Sequence, residues 1–267
     1  MATAVNEPEI VVEDLVVAFG DTVVLDGVSF TVNRGEVFVI LGGSGSGKTT
    51  LLRNLVGLMR PRSGRILIQG EDFTAMSEEE RIGFRRKMGM CFQSSALLGS
   101  ISLADNVALP LREHTRLEES TIDIMTRIKL ELVGLGGFED YLPSELSGGM
   151  RKRAGIARAM AMDPELIFYD EPSAGLDPIV AAGIDELIRT MQSTFNLTSV
   201  VVTHEMESVK LIADTVCVLH RGKVVGIGTL AELELSNHPY IQQFFARRPD
   251  DPSTVDEAWA RALTGTD

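Results

Sequence analysis

The stretch "VFVILGGSGSGKTT", Val37 to Thr50, joins an apolar run to the helical pattern "KTTLLRNLVGL" through a turn made of glycine and serine. Gly42, Gly47, Lys48 and Thr49 stand at the G-x-x-x-x-G-K-T spacing, after a strand and before a helix, which is the setting a phosphate loop requires. Across Gly42, Gly43, Ser44, Gly45, Ser46 and Gly47 the small residues let main-chain N–H groups turn toward an anion at the helix N-terminus. Lys48 is placed to reach the β- and γ-phosphates of a nucleotide, Thr49 to offer its hydroxyl to Mg²⁺, and Thr50 to add an α-phosphate contact. A flexible Gly/Ser turn would account for the glycines but not for the Lys-Thr pair. Nucleotide binding by an α/β fold is the expectation.

The rest of the chain fits that frame. Apolar, β-rich segments at "EIVVEDLVVAF", "TVVLDGVSFTV", "EVFVIL", "RILIQG", "LIFYDE", "TSVVVTHE", "TVCVLH" and "KVVGIG" are punctuated by turn residues such as Gly20-Asp21 and Arg221-Gly222. Helices are expected from Lys48, from Ser77 with a capping box to Glu80, from Ser102 and Glu118, and after Ser147, Asp177 and His204. Alternating strands and helices predict a mostly parallel sheet with an antiparallel part. Between about Ser94 and Met162 the pattern is almost wholly helical, which predicts a helical lobe, 94–162, inserted between two sheet strands. We expect one cassette over residues 1–236, followed by a short helical tail, 237–267.

Composition narrows the function. The 267 residues are 44% hydrophobic, enough for one large core. With 25 Lys and Arg against 38 Asp and Glu the net charge is -13, which argues against nucleic acid as a partner. No apolar run approaches the roughly 18 residues that span a bilayer, and "MATAVNEPEI" lacks the basic start and apolar stretch of a secretory signal, so a cytosolic location is expected. Cys91 and Cys217 sit in short apolar runs and are expected to be buried, reduced thiols. His114, His220 and His238 carry no pattern beyond structure.

"LIFYDEP" supplies a second half to the phosphate loop. Four apolar residues of a buried strand end at Asp170, whose carboxylate can hold Mg²⁺ through water. Glu171, one residue on, is placed to orient and deprotonate an attacking water.

"SELSGGMRKR", Ser144 to Arg153, reads as a second anion-facing helix start: Ser147 is an N-cap, followed by the small Gly148 and Gly149. "LSGGM" resembles the signature motif of ATP-binding cassette (ABC) ATPases, and lies upstream of "LIFYDEP" as that family requires. The resemblance runs from about Ile10 to Gly228. It implies ATP and Mg²⁺ as cofactors and a second copy of the chain as partner, with Ser147, Gly148 and Gly149 capping the nucleotide bound by the other copy. It further implies that Phe19 stacks on adenine, and that Gln93, in the Q-loop after "MGMCF", touches Mg²⁺ and the attacking water. Asp177 in "SAGLDP" would communicate across the dimer, and His204 after "SVVVT" would contact the γ-phosphate.

The chain departs from the common signature at Met150, where Gln is usual; Met cannot donate a hydrogen bond to the neighbour's nucleotide. "LSGGMRKRAGIARA" and "FQSSALLGSISLADNVALPLREHT" look like the ATPases of Mla-type, MCE-associated lipid transporters. That likeness implies a permease docked on about Ser94 to Asn106, an MCE-domain protein in the same complex, a peripheral place on the cytoplasmic side of the inner membrane, and phospholipid movement between inner and outer membranes. An importer of amino acids or other small polar solutes is the alternative. A soluble ABC ATPase of DNA repair or translation is disfavoured by the acidic, single cassette. About forty residues follow Gly228, too few for a β-rich sensing domain. In the tail, Tyr240, Ile241, Phe244 and Phe245 form one helical stripe, and Ser253-x-x-Asp256 opens a second helix with Val255, Trp259 and Leu263 on its apolar face. The tail is expected to contact the sister ATPase.

Overall fold

The computed structural model describes residues 7–249. Strands β1 (Pro8–Phe19) and β2 (Thr22–Asn33) form a hairpin, and β3 (Val37–Leu41) leads into helix α1 (Lys48–Leu55). There follow β4 (Ser63–Ile68), β5 (Glu71–Asp72), α2 (Glu78–Arg85) and β6 (Met88–Cys91). The chain then leaves the sheet for α3 (Leu103–His114), α4 (Glu119–Leu132), a 3-10 turn (Pro143–Glu145) and α5 (Gly148–Ala159), and returns as β7 (Leu166–Asp170). It ends with α6 (Pro178–Phe195), β8 (Thr198–Thr203), α7 (Met206–Ile212), β9 (Thr215–His220), β10 (Lys223–Gly228), α8 (Leu230–Glu234) and α9 (Pro239–Phe245).

Two sheets result. One is antiparallel, in the order β2-β1-β4-β5; the other runs β10-β9-β3-β8-β7-β6 and is parallel except where β10 meets β9. Strands β3 and β8 are buried on both faces, as "VFVIL" and "TSVVVT" require of central parallel strands. Alternate residues of β3 feed two apolar layers. Phe38 and Ile40 pack with α1 and the antiparallel sheet; Val37, Val39 and Leu41 pack with α5 and α6. Leu41 is level with Thr203 and Asp170 with Val202, so the ends of β3, β7 and β8 open on one edge of the sheet. Open α/β sheets hold their ligands at such an edge.

The caps expected at Ser77, Ser102, Ser147 and Asp177 all form, Ser77 with Glu80 as a complete capping box. Asn106, buried in α3, accepts from the Leu98 N–H at 2.7 Å and donates to the Leu98 and Ser102 carbonyls, which ties down the segment that enters the helical insertion. Between α6 and α7, Ser173 and Ser208 share a buried hydroxyl contact of 2.9 Å beside Asp185. Both cysteines are buried and free, and burial pushes each thiol up to about 12.

Two expectations are corrected. Strands β5 and β6 were not among the anticipated segments; β6 is a four-residue edge strand of Met, Gly and Cys whose pairing with β7 is not signalled locally. The helix expected after His204 forms, starting at Met206 behind Glu205 as its extended N-cap. The first tail helix, α9, packs on its own chain: Gly226 of β10 leaves the space that Ile241 fills, and Tyr240, Phe244 and Phe245 lie on the same apolar layer. The second tail helix, with Trp259, falls outside the described residues.

Candidate functional site

At the end of β3 the backbone turns through Gly42 to Gly47 into α1. A Cβ on Gly42 would stand 2.3 Å from the Leu219 carbonyl oxygen, and Gly47 has φ 102, so neither position accepts a side chain. No side chain caps α1 and no acid occupies its first turn, which leaves the N–H groups of Lys48, Thr49 and Thr50 without intrahelical partners. Lys48 donates from Nζ to the Gly42 carbonyl at 2.7 Å and the Gly43 carbonyl at 3.0 Å. Burial lowers its pKa while Glu171 and Asp170 oppose that shift. A cation over a ring of free N–H donors is a site for a polyanion. The Gly43 N–H donates at 3.1 Å to Tyr240 Oη, brought there by α9.

Across the sheet edge, Asp170 ends β7. Burial raises its pKa first and the Glu171 charge second, while Arg53, Lys152 and Lys48 pull it down. Glu171 is nearly buried, with φ 48, a left-handed backbone that a non-glycine residue seldom adopts. Its N–H donates to the Val202 carbonyl at 2.9 Å, and both carboxylate oxygens lie 2.9 Å from Nδ1 of His204. The phosphate loop, Asp170, Glu171 and His204 therefore share one edge. Gln93 follows β6 on the neighbouring edge strand and is exposed, its carbonyl held by Lys152 at 2.6 Å.

Phe19 is 52% exposed at the tip of the β1–β2 hairpin, open for stacking rather than spent on the core. Ser147 caps α5 by accepting from the Met150 N–H at 3.2 Å, and Asp177 caps α6 by accepting from the Ile179 and Val180 N–H groups at 3.1 Å. Gly148 and Gly149 are packed against Leu176 and Val180, so these two helix starts form one surface, with Ile179 beside them 85% exposed. Among the described residues no hydrogen bond or ion pair joins that surface to the phosphate loop. Sequence reasoning missed Lys152 and Tyr240. Each acts on main-chain atoms far along the chain, and neither contact leaves a local pattern.

The geometry defines a P-loop nucleotide-hydrolysing cassette. Residues 25–174 match the ABC transporter family. The chain is 44% identical to the intermembrane phospholipid transport system ATP-binding protein MlaF of Haemophilus influenzae, over 92% of this chain and 94% of that protein. It is 43% identical to MlaF of Escherichia coli K12 over 87% of each, and 42% identical to the probable ribonucleotide transport ATP-binding protein mkl of Mycobacterium tuberculosis H37Rv, over 92% of this chain and 68% of that one. Among solved structures it resembles the ATP-binding cassette MJ0796 in a dimeric post-hydrolysis state with ADP and Pi (TM-score 0.76, 28% identity, 83% of this chain and 98% of that one). It also resembles cbiO1 of Clostridium perfringens, part of the ABC transporter complex cbiONQ (TM-score 0.80, 29% identity, 97% and 100%). The chain belongs to the ABC transporter family, as its ATP-binding and ATP-hydrolysing cassette.

Proposed function

We propose that this chain energises phospholipid transport between the inner and outer membranes as the ATPase subunit of an Mla-type transporter. The carrying observation is the 44% identity to MlaF across nearly the full length of both proteins. The mkl protein of Mycobacterium tuberculosis, named for ribonucleotide transport, favours a polar-solute importer, but the chain spans only 68% of its length. Complementation decides: the gene should restore outer-membrane barrier function to cells lacking their own Mla ATPase, and rescue of nucleotide uptake instead would reverse the reading.

In this proposal Lys48 and the free N–H groups of α1 bind the phosphates, and Phe19 stacks on the base. Thr49, Asp170 and Gln93 hold Mg²⁺. That set brings a single carboxylate, and among the described residues no cluster of three or more His, Cys, Asp or Glu could hold a metal. Bound there, Mg²⁺ would neutralise part of the phosphate charge, and an ion that relies on few protein carboxylates suits so sparse a set. Glu171 takes the proton of the attacking water and His204 orients the Glu171 carboxylate. Ser147, Gly148, Gly149 and Asp177 serve the sister copy's nucleotide in a homodimer, with the exposed Ile179 beside them covered on closure.

A cavity of about 560 Å³, with Ile82, Met88, Phe92, Ala96 and Leu109 among its lining residues, adjoins the segment Ser94–Asn106 and suits a helix of a membrane permease. No described helix is long and apolar enough to cross a membrane, which suits a peripheral subunit on the cytoplasmic side of the inner membrane, beside a permease and an MCE-domain protein.

A further inference from the structure

Helix α5 begins at Ser147, facing outward, but one turn later its side chains reach back into its own subunit. Lys152 donates from Nζ to the main-chain carbonyl of Gln93 at 2.6 Å and to that of Glu171 at 2.9 Å. These carbonyls lie just past the ends of two different strands, β6 and β7. Glu171 is left-handed at φ 48, and such a residue persists only where its surroundings over-determine it. Its surroundings hold it at every polar group: the Val202 carbonyl holds its N–H, His204 its carboxylate, and Lys152 its carbonyl at 2.9 Å, with the Ala174 N–H a longer second donor to that oxygen at 3.3 Å.

The same helix treats the Q-loop alike. Ser95 and Ala96 are left-handed at φ 62 and φ 46, and Arg158 donates to their carbonyls at 2.7 and 2.6 Å. Among the described residues, Lys152 alone is hydrogen-bonded to both places. An ammonium carries three donors with no fixed plane, so one nitrogen can serve two carbonyls that follow separate strands, whereas a guanidinium reaches two carbonyls from two different nitrogens held in one plane, as Arg158 does here. Burial lowers the Lys152 pKa, and Cys91, Glu171, Asp170 and Glu205 oppose that shift.

We propose that Lys152 is a positioning residue of ATP hydrolysis, holding Gln93 and Glu171 in register for as long as the helical insertion is seated against its own sheet. This rests on the roles given above to Gln93 and Glu171. Among the described residues, both hydrogen bonds of Lys152 go to main-chain carbonyls, those of Gln93 and Glu171. It acts through the main chain of those two residues, so its loss should appear in turnover and spare nucleotide affinity.

The experiment compares steady-state ATP hydrolysis and the affinity for a fluorescent ATP analogue in the full chain and in Lys152→Met, Lys152→Arg and Glu171→Gln. The Met variant keeps the aliphatic stem and loses every donor. It should retain KM and analogue affinity within about twofold while kcat falls on the order of 10-fold or more, the scale of lost charge-assisted hydrogen bonds. Lys152→Arg should recover part of that loss. Wild-type kcat in the Met variant, or nucleotide affinity that collapses with kcat, overturns the inference. If the Met variant does not fold, Lys152→Gln is judged by the same two criteria. Turnover by Glu171→Gln would remove the site assignment and this inference together. An inactive Glu171→Gln beside a fully active Lys152→Met would remove this inference alone.

Discussion

Nδ1 of His204 stands 2.9 Å from both carboxylate oxygens of Glu171. A carboxylate only accepts hydrogen bonds, so the nitrogen that faces it carries the proton. The pair thereby sets the histidine tautomer and orients the carboxylate, leaving Nε2 for a further partner.

Glu171→Gln keeps the shape of the side chain and removes the base. ATP binding should persist, since Lys48, Thr49 and Asp170 are untouched, while turnover falls roughly 10²-fold or more. Size-exclusion chromatography with ATP should show dimers accumulating. Hydrolysis near the wild-type rate would show that Glu171 is not the base.

Ser147→Arg puts a long cation on the exposed start of α5 and removes a cap contributing about 1 kcal/mol. ATP should still reach the variant's own phosphate loop with normal affinity, but dimer formation and turnover should be lost. Mixing this variant with Lys48→Ala leaves one intact composite site per mixed dimer, so residual hydrolysis by the mixture is the positive result. Reduced ATP affinity in the Ser147→Arg monomer would contradict the assignment.

Tyr240→Phe retains the ring stacked on His220, with centroids 3.6 Å apart, and removes the oxygen that accepts from the Gly43 N–H. The loss is about 1 kcal/mol, so Kd for ATP should rise roughly fivefold. Isothermal titration measures it. An unchanged Kd would mean that α9 has no hold on the loop.

Asp185 is buried between α6 and α7 with Oδ1 unpartnered among the described residues. Burial raises its pKa from 3.8 to about 6, with the Ser208 hydroxyl pulling the other way and Glu205 adding to the rise. The folded state thus holds this proton more tightly than the unfolded chain. Its contribution is full below about pH 4 and is lost as pH rises to about 6. Asp185→Asn removes that slope, and the gap between variant and wild type should widen over this window by on the order of 2–3 kcal/mol. Urea unfolding from pH 4 to pH 8 is the check; parallel curves would refute it.

The parts of the fold that could be read in advance are those with local signatures. "GGSGSGKTT" after an apolar strand and "LIFYDE" with its terminal acid lie in consecutive residues, and the N-caps lie within one turn of the helices they start. Strand β6 was not legible, because Met88 to Cys91 have weak β-propensity and acquire strand geometry from β7, which arrives only after the helical insertion. The stripe on α9 was visible, but which surface would cover it was not: the hollow over Gly226 exists only once β9 and β10 have paired. Lys152 and Tyr240 escaped for a related reason. Their partners are main-chain atoms, which every residue type presents alike.

The state of the two cysteines has a practical consequence. Thiols raised to about 12 and shut inside the core carry almost no thiolate at neutral pH, so maleimides and mild oxidants will pass them by. The natural chain is then its own unreactive background, and a single cysteine introduced at an exposed position such as Ser147 becomes the one group that a label finds. Closure of two copies could be followed as ATP-dependent protection of that cysteine from a maleimide, without first replacing Cys91 or Cys217 and disturbing the layers they help fill.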